Sequence, residues 1–569
     1  MKARLLLLTL LPFYLFGQST VIKDVNLLDV EKRKVLKNMS VKITDGKITQ
    51  MDQLKKMSID TGDSIIDGTG KYLIPGLMDT HIHFFQSGGI YTRPDALDLT
   101  HVFSYEEEIQ FAKDNAVDYL KRYLRNGITT VMDVGGPLWN YEVRDSLAEN
   151  SLSPNVLVTG PLFSMVSRPQ LDKGDPPIIQ VTTKEEVLQL FNQQLPYRPD
   201  FMKVWYVVTP DLPAEKSYPL VAYLGELCRE NNLKLAVHAT QLETAKLAVK
   251  AGANILVHSI DDVLIPQEFI SEMKKKQVTY IPTMIVGDGY FKTFTGVMDH
   301  HPQDLKWANP AAYNSLLDPN KLDKSAWPER LKVLYGLKRP ARLEQQDSIM
   351  RVNLRNVFNG GVNVATGTDA GNIGTMHASS YLPELEAMSK SELSIWDLLV
   401  SSTINAAKGF SLDARLGSIK VGKEADLVLL GADPLQDLQH LNAIEWVMKG
   451  GELLTPDKIL VESPAQIVQR QVNAYNARDI DAFLDTYSAD VKVYNEKGEM
   501  TLKGHAKMRE RYGLMFERVT NLYCEIVNRI VINNKVIDQE KVRFNDNSLE
   551  AVAIYEVTDG KISKVTFVR

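Results

Sequence analysis

Cysteine is nearly absent: Cys228 and Cys524 are the only two in 569 residues, and they lie far apart. A secreted scaffold held by disulfides would carry many more, so stability must come from a large core, with two free, buried thiols. An excess of positive charge is also missing. Lys and Arg total 65 against 71 Asp and Glu, a net charge of -6, which excludes the basic face of a nucleic-acid binder. No repeat of solenoid period and no low-complexity tract is visible. Beyond the first residues no apolar run approaches the roughly 20 positions needed to span a bilayer. What remains is 44% hydrophobic and 24% charged, the composition of a folded globular protein of two to four domains, either an enzyme or a binding protein.

The start of the chain differs. Met1-Lys2-Ala3-Arg4 is basic, Leu5 to Phe16 is almost unbroken apolar sequence, and small Gly17 precedes Gln18-Ser19-Thr20. This pattern predicts a secretory signal over 1–17 and an exported, periplasmic or secreted protein. No cysteine follows the run, which argues against lipid anchoring there.

Residues 18–74 read as β-rich, with VIKDVNLLDV, then NMSVKITDGKITQM carrying an Asp45-Gly46 hairpin signal, then DSIIDGTGKYL. A similar piece returns at 416–457, and the two are expected to form one small β-sandwich. Between them, over 75–415, short apolar strands alternate with helical stretches. Eight strands can be marked, at 73–83, 127–135, 155–162, 201–208, 234–239, 254–259, 279–286 and 363–371. The clearest unit runs from 234 to 259, where Thr240-Gln241-Leu242-Glu243 reads as a capping box and Gly252 ends the helix. Eight such units predict an α/β fold with a (β/α)8 TIM barrel. The stretch 287–345 is too long for a simple connection and is a candidate lid. A separate α+β domain is expected over 462–569: a helix capped by Ser463-Pro464-Ala465-Gln466, a second helix through Ile480, Phe483 and Leu484, then antiparallel strands with turns at Asn533-Asn534 and Asp559-Gly560.

His81 and His83 are two apart in a strand, so both imidazoles face one side. His238, His258 and Asp369 each end a strand, and the strand ends of a barrel converge on one mouth. Imidazole with carboxylate is a ligand set for zinc or a similar divalent metal. Each residue alone is as readily structural; five together, from a chain of ten His, point to a metal site. Lys203 lies in FMKVWYVV among apolar neighbours. It is either an ion-paired lysine or a neutral amine able to take up carbon dioxide as a carbamate. Tyr206, three residues on, and His377, after the last strand, are candidates for substrate binding. His101, His300, His301, His440 and His505 fall outside the strand ends.

DTHIH at 79–83, PDFMKVW around Lys203, AVHA at 236–239, LVHS at 256–259 and GTDAG at 367–371 resemble the motifs of the amidohydrolase superfamily, in its imidazolonepropionase-like and Xaa-Pro dipeptidase-like branch. GKYLIPGLMDTHIH and LGSIKVGKEADLVLL resemble that family's entry to and exit from the barrel. The likeness covers roughly residues 20 to 455; the tail resembles the SnoaL-like, NTF2-like cone fold. The resemblance implies a binuclear site for two divalent metal ions, with zinc expected: His81, His83 and Asp369 on one metal, His238 and His258 on the other, and N6-carboxylated Lys203 bridging. It implies hydrolysis of a C–N amide bond in a small peptide-like or cyclic substrate by a metal-bridging hydroxide, with Asp369 shuttling the proton. A mononuclear deaminase and a non-catalytic exported binding protein are the alternatives. No GxSxG elbow and no strand-end cysteine supports covalent catalysis. Expected partners are a small-molecule amide or peptide and a second copy through the tail; nucleic acid and a membrane span are not expected.

Overall fold

The computed structural model describes residues 19–519 and 521–568, so the leader expected at 1–17 lies outside the described residues. Among the described residues no helix is long and apolar enough to cross a membrane. The fold is mixed α/β. Leu77–Ile82, Ile128–Asp133 and Asn155–Val158 pair in parallel as one sheet. A second parallel sheet runs Ile178–Gln180, Leu162–Ser164, Met202–Trp205, Leu235–His238, Ile255–Val257, Thr279–Ile281 and Asn363–Val364. Parallel neighbours need long crossovers, and helices such as Tyr105–Arg125, Ala214–Glu230, Leu242–Lys250 and Gln267–Lys275 supply them. Helices cover the strands on one side and packed side chains on the other. The first two strands are therefore buried at every position, which explains their unbroken apolar character.

The strands fall where the sequence placed them but are shorter. The third breaks at Thr159-Gly160-Pro161, so its halves pair with different neighbours. The last keeps ladder pairing only over Asn363–Val364. Beyond it Gly367 presses on the first strand, where a Cβ would stand 2.8 Å from that of His81, and Asp369 adopts φ 58. Bonds from Thr80 N to Thr366 O, Asp369 N to His81 O and His83 N to Ala370 O still tie this segment to the first strand. The capping box expected at Thr240 is not formed. Gln241 is the cap without a side-chain bond, and the Leu242 amide donates to Asp262 instead.

The two flanks join as one eight-stranded sheet. Tyr72–Pro75 pairs antiparallel with Leu427–Leu430, and Val25, Val41, Leu73, Leu427 and Met448 share one apolar cluster. Asp45 and Gly46, at φ 49 and 74, make the hairpin turn between Lys34–Thr44 and Lys47–Asp52. In the tail the Ser463 capping box is present in full. Its six-stranded sheet is antiparallel except where Tyr487–Tyr494 meets Lys561–Val568. A helix, Gly504–Arg518, and a strand, Met500–Lys503, stand between the first two helices and the long strands. They escaped the sequence because that helix buries only Met508 and Phe516.

The 287–345 stretch is largely helical, with Val286–Thr295, Pro302–Trp307, Pro310–Ser315 and Glu329–Leu334. It has its own apolar cluster, including Phe294, Leu305, Tyr313, Trp327 and Leu331.

One close helix approach gives a stability test. Glycine in a helix interior ordinarily costs about 1 kcal/mol against alanine. In helix Ala214–Glu230, however, a Cβ on Gly225 would stand 2.0 Å from the Ala251 carbonyl oxygen. Gly225→Ala is therefore expected to destabilise, by about 1–3 kcal/mol, read as a lower urea midpoint. A midpoint unchanged or raised would show that the two helices can part freely.

Candidate metal centre

The period of a strand brings the first two ligands together. His81 and His83 point to the same side, and their Nε2 atoms are 3.3 Å apart. Asp369 Oδ1 lies 3.2 Å from each of them. His258 Nδ1 stands 3.8 Å from Asp369 Oδ2, and the His258 ring centroid is 4.9 Å from that of His81. His238 joins through His258, ring centroids 4.4 Å apart. His81, His258 and Asp369 each offer a ligand atom within 4.8 Å of the others. Lys203, His83, His238, His258 and Asp369 line one cavity of about 300 Å³. All six residues singled out by sequence therefore meet around one place.

Buried partners fix the orientation of these groups. The His83 Nδ1 stands 2.7 Å from the Gly135 carbonyl, which makes it the protonated nitrogen and leaves Nε2 as an acceptor facing Asp369. His258 Nδ1 bonds Thr283 Oγ1 at 2.8 Å. Asp79 accepts from the Thr368 amide and hydroxyl at 3.0 and 2.7 Å, tying the two ligand-bearing segments together. Asp133 accepts from the Phe84 and Gly135 amides at 2.9 and 3.1 Å. The backbone is strained here: His258, Asp369 and the β-branched Thr283 have φ of 77, 58 and 44, left-handed values that cost on the order of 1–3 kcal/mol each.

Burial decides the charge states. It pushes His81 and His238 down to about 3 and His258 well below its usual value, so all three rings are neutral ligands. Burial opposes the Asp369 charge, yet the surrounding His81, His83 and His258 groups hold its carboxyl well below the ordinary range. Lys203 is pulled by burial down to about 7. It is 2% exposed, and among the described residues no acid is hydrogen-bonded or salt-bridged to it. A buried ammonium without a partner is costly; a neutral amine at this place is not.

The donors fit a divalent cation. The Asp369 Oδ1 and His81 Nδ1 atoms are buried without a hydrogen-bond partner. Neutral imidazoles around one anionic carboxylate are the donor chemistry such an ion takes.

Two further sequence candidates are placed elsewhere. Tyr206 lies an odd number of residues from Lys203, so strand alternation sends it to the opposite side. Its hydroxyl donates to Ala214 O at 2.6 Å, within the core. His377 stacks on Tyr119 at 4.4 Å, and its nitrogens are taken by Tyr123 and Gln86 at 3.1 and 2.8 Å. It is 2% exposed and braces the loop after the first strand. The cavity is lined instead by Trp205, Arg93, Tyr290, Asn372 and Asp261, none singled out from sequence. Trp205 was accessible to the parity rule, being two residues from Lys203. Arg93 and Tyr290 come from loop and insertion, where spacing carries no such signal.

Comparison with known proteins bears on the family of the chain. The amidohydrolase family model matches residues 72–454, and a SnoaL-like domain model matches 468–565. Guanine deaminase of Escherichia coli (strain K12) is 23% identical over 401 residues, covering 67% of this chain and 79% of its own. Imidazolonepropionase of Shouchella clausii is 35% identical over 115 residues, 19% of this chain and 25% of its own. Among solved structures, a Xaa-Pro dipeptidase with bound methionine in the active site superposes with a TM-score of 0.58 at 22% identity, over 77% of this chain and 100% of that one. Molinate hydrolase gives 0.57 at 19%, over 78% and 95%. With its matched region spanning more than half the sequence, this chain belongs to the amidohydrolase family and carries a SnoaL-like domain behind it.

Proposed function

We propose that the protein is a binuclear metal-dependent hydrolase cleaving the C–N amide bond of a small peptide-like or cyclic amide. The observation that carries this reading is the buried, unpartnered Lys203 on the same cavity as His83, His238, His258 and Asp369. Metal-dependent hydrolysis at C–N bonds is supported by the family, whose relatives include dipeptidases and deaminases. The parallel strands are read as a closed (β/α)8 barrel, supported by the bonds joining 366–370 to the first strand. The protein is read as exported, on the 1–17 pattern.

His81, His83 and Asp369 would hold one ion, zinc being the metal this donor set suits, and His238 and His258 a second. The Lys203 amine would attack carbon dioxide, forming an N–C bond and losing a proton, and the resulting carbamate would bridge the two. When bound, such a pair polarises the amide carbonyl and lowers the pKa of water. The chain's own residues do the rest. Asp369, anionic and set at a strained φ of 58, would accept the proton from the attacking water at its carboxylate and deliver it to the leaving nitrogen. The cavity of about 300 Å³ takes a small molecule and excludes a folded polypeptide. A deaminase reading, which five relatives' names favour, needs one ion and gives Lys203 no task.

Three outcomes are expected. Active protein should contain close to two divalent ions per chain by elemental analysis, and full activity with one ion or fewer would favour the deaminase. Asp369→Asn should keep most of the metal while turnover falls about 10²–10⁴-fold; near-wild-type turnover removes Asp369 from proton transfer. Lys203→Ala and Lys203→Arg should both lose metal and activity, since guanidinium stays protonated and cannot take up carbon dioxide. Propionate should partly restore Lys203→Ala, and propionamide should not, because a bridge needs anionic oxygens. A fully metallated, active Lys203→Arg protein would overturn the carbamate.

A further inference from the structure

The first helix of the tail, Pro464–Ala477, belongs to two bodies at once. Ile467, Val468 and Ala474 are buried in the tail's own core. Asn473, buried, turns instead to the long insertion, where this helix packs on Pro302–Trp307 and Pro310–Ser315, while Arg470, also buried, pairs with Glu462 at the junction and with Asp485 of the tail. We propose that the tail helix clamps the insertion as a wall of the metal-site cavity, with Arg470 and Asn473 as its positioning residues.

The junction is built around one buried cation. Arg122, on helix Tyr105–Arg125, is 0% exposed. It donates to Asp118 at 2.7 Å, to the Trp307 and Ala308 carbonyls at 3.1 and 3.0 Å, and to Glu462 at 3.2 Å. One guanidinium thus ties barrel helix, insertion and tail junction. Arg470 holds the other oxygen of Glu462 at 2.7 Å. Asp118 also accepts from Asn309 of the insertion and Gln466 of the tail helix, at 2.8 and 3.0 Å. Asn473 donates to the Pro310 carbonyl at 2.8 Å. Ala477 and Ala482 pack against the insertion's apolar cluster. Buried polar groups shared among three segments resist separation, because parting any two leaves desolvated charges or carbonyls unpaired.

From the insertion the contacts run on to the metal site. Tyr290 packs on the same apolar cluster and lines the metal-site cavity with Val286, Gly287 and Asp288. Its hydroxyl donates to Asn372 Oδ1 at 2.8 Å, and Asn372 Nδ2 donates to the Asp369 carbonyl at 3.2 Å. Physical continuity alone does not establish coupling, so the test must loosen the clamp and read the far wall.

In the full-length chain, Ala477→Arg places a charge in the apolar contact, and Asn473→Ala removes one bond. Hydrogen–deuterium exchange at 286–295 and 302–315 should rise about tenfold in each variant, as expected for losing roughly one buried hydrogen bond. Exchange in strands Leu235–His238 and Lys535–Phe544 should stay as in the wild type. Should Ala477→Arg also expose the tail strands, Asn473→Ala alone decides. Wild-type exchange over 286–315 in the deciding variant overturns the clamp. A second readout rests on the amide-hydrolase reading: KM should rise about fivefold with kcat and metal content unchanged, the mark of a displaced binding wall. A fall in kcat at constant KM contradicts it. If the wild type hydrolyses no amide, that reading fails, while the exchange result still decides the clamp.

Discussion

A carboxylate held out of water among imidazoles is the constraint on which this structure turns. Asp369 meets His81 and His83 at 3.2 Å, and burial keeps His81 from taking the proton that would balance the charge. An anion in such surroundings needs either a cation or a shell of donors. The shell is incomplete, since Asp369 Oδ1 has no hydrogen-bond partner. The parallel sheets, the strained backbone at His258 and Asp369, and the carboxyl groups of Asp79 and Asp133 all serve to keep these side chains converging. Folding tolerates the strain because the surrounding strands are buried and fully packed.

The metal-site cavity is assembled from unequal materials. Its floor comes from strand ends, whose positions are set by ladder pairing and deep burial. Its wall comes from the helical insertion, which has its own apolar core and touches the tail. The chain's SnoaL-like domain is joined to this wall by buried polar groups rather than by a bare linker.

Much of this was legible in the sequence, for definite reasons. His81 and His83 share a face because strand side chains alternate, and His238, His258 and Asp369 were found because parallel strands end on one side. The same alternation separates Tyr206 from Lys203 and puts Trp205 on the Lys203 side of the strand. Arg93, Asp261 and Tyr290 were out of reach, since loops and insertions place side chains by tertiary packing. Helix Gly504–Arg518 was hidden for a related reason: with two buried residues it has little apolar period to read. The last parallel strand is expected whole, but its ladder holds only over Asn363–Val364, and 366–370 instead joins the first strand through separate backbone bonds.

The central claim is that Lys203 serves as a bridging anion and not as a buried cation. Its burial, which lowers its proton affinity despite the nearby Asp369 charge, and the absence among the described residues of a hydrogen-bonded or ion-paired acid support this reading. The most direct measurement is carbon-13 NMR of metal-replete protein prepared with labelled bicarbonate. A single labelled carbamate carbon per chain, absent from Lys203→Ala, is the predicted result. Active, metal-replete protein that retains no labelled carbon would contradict the account.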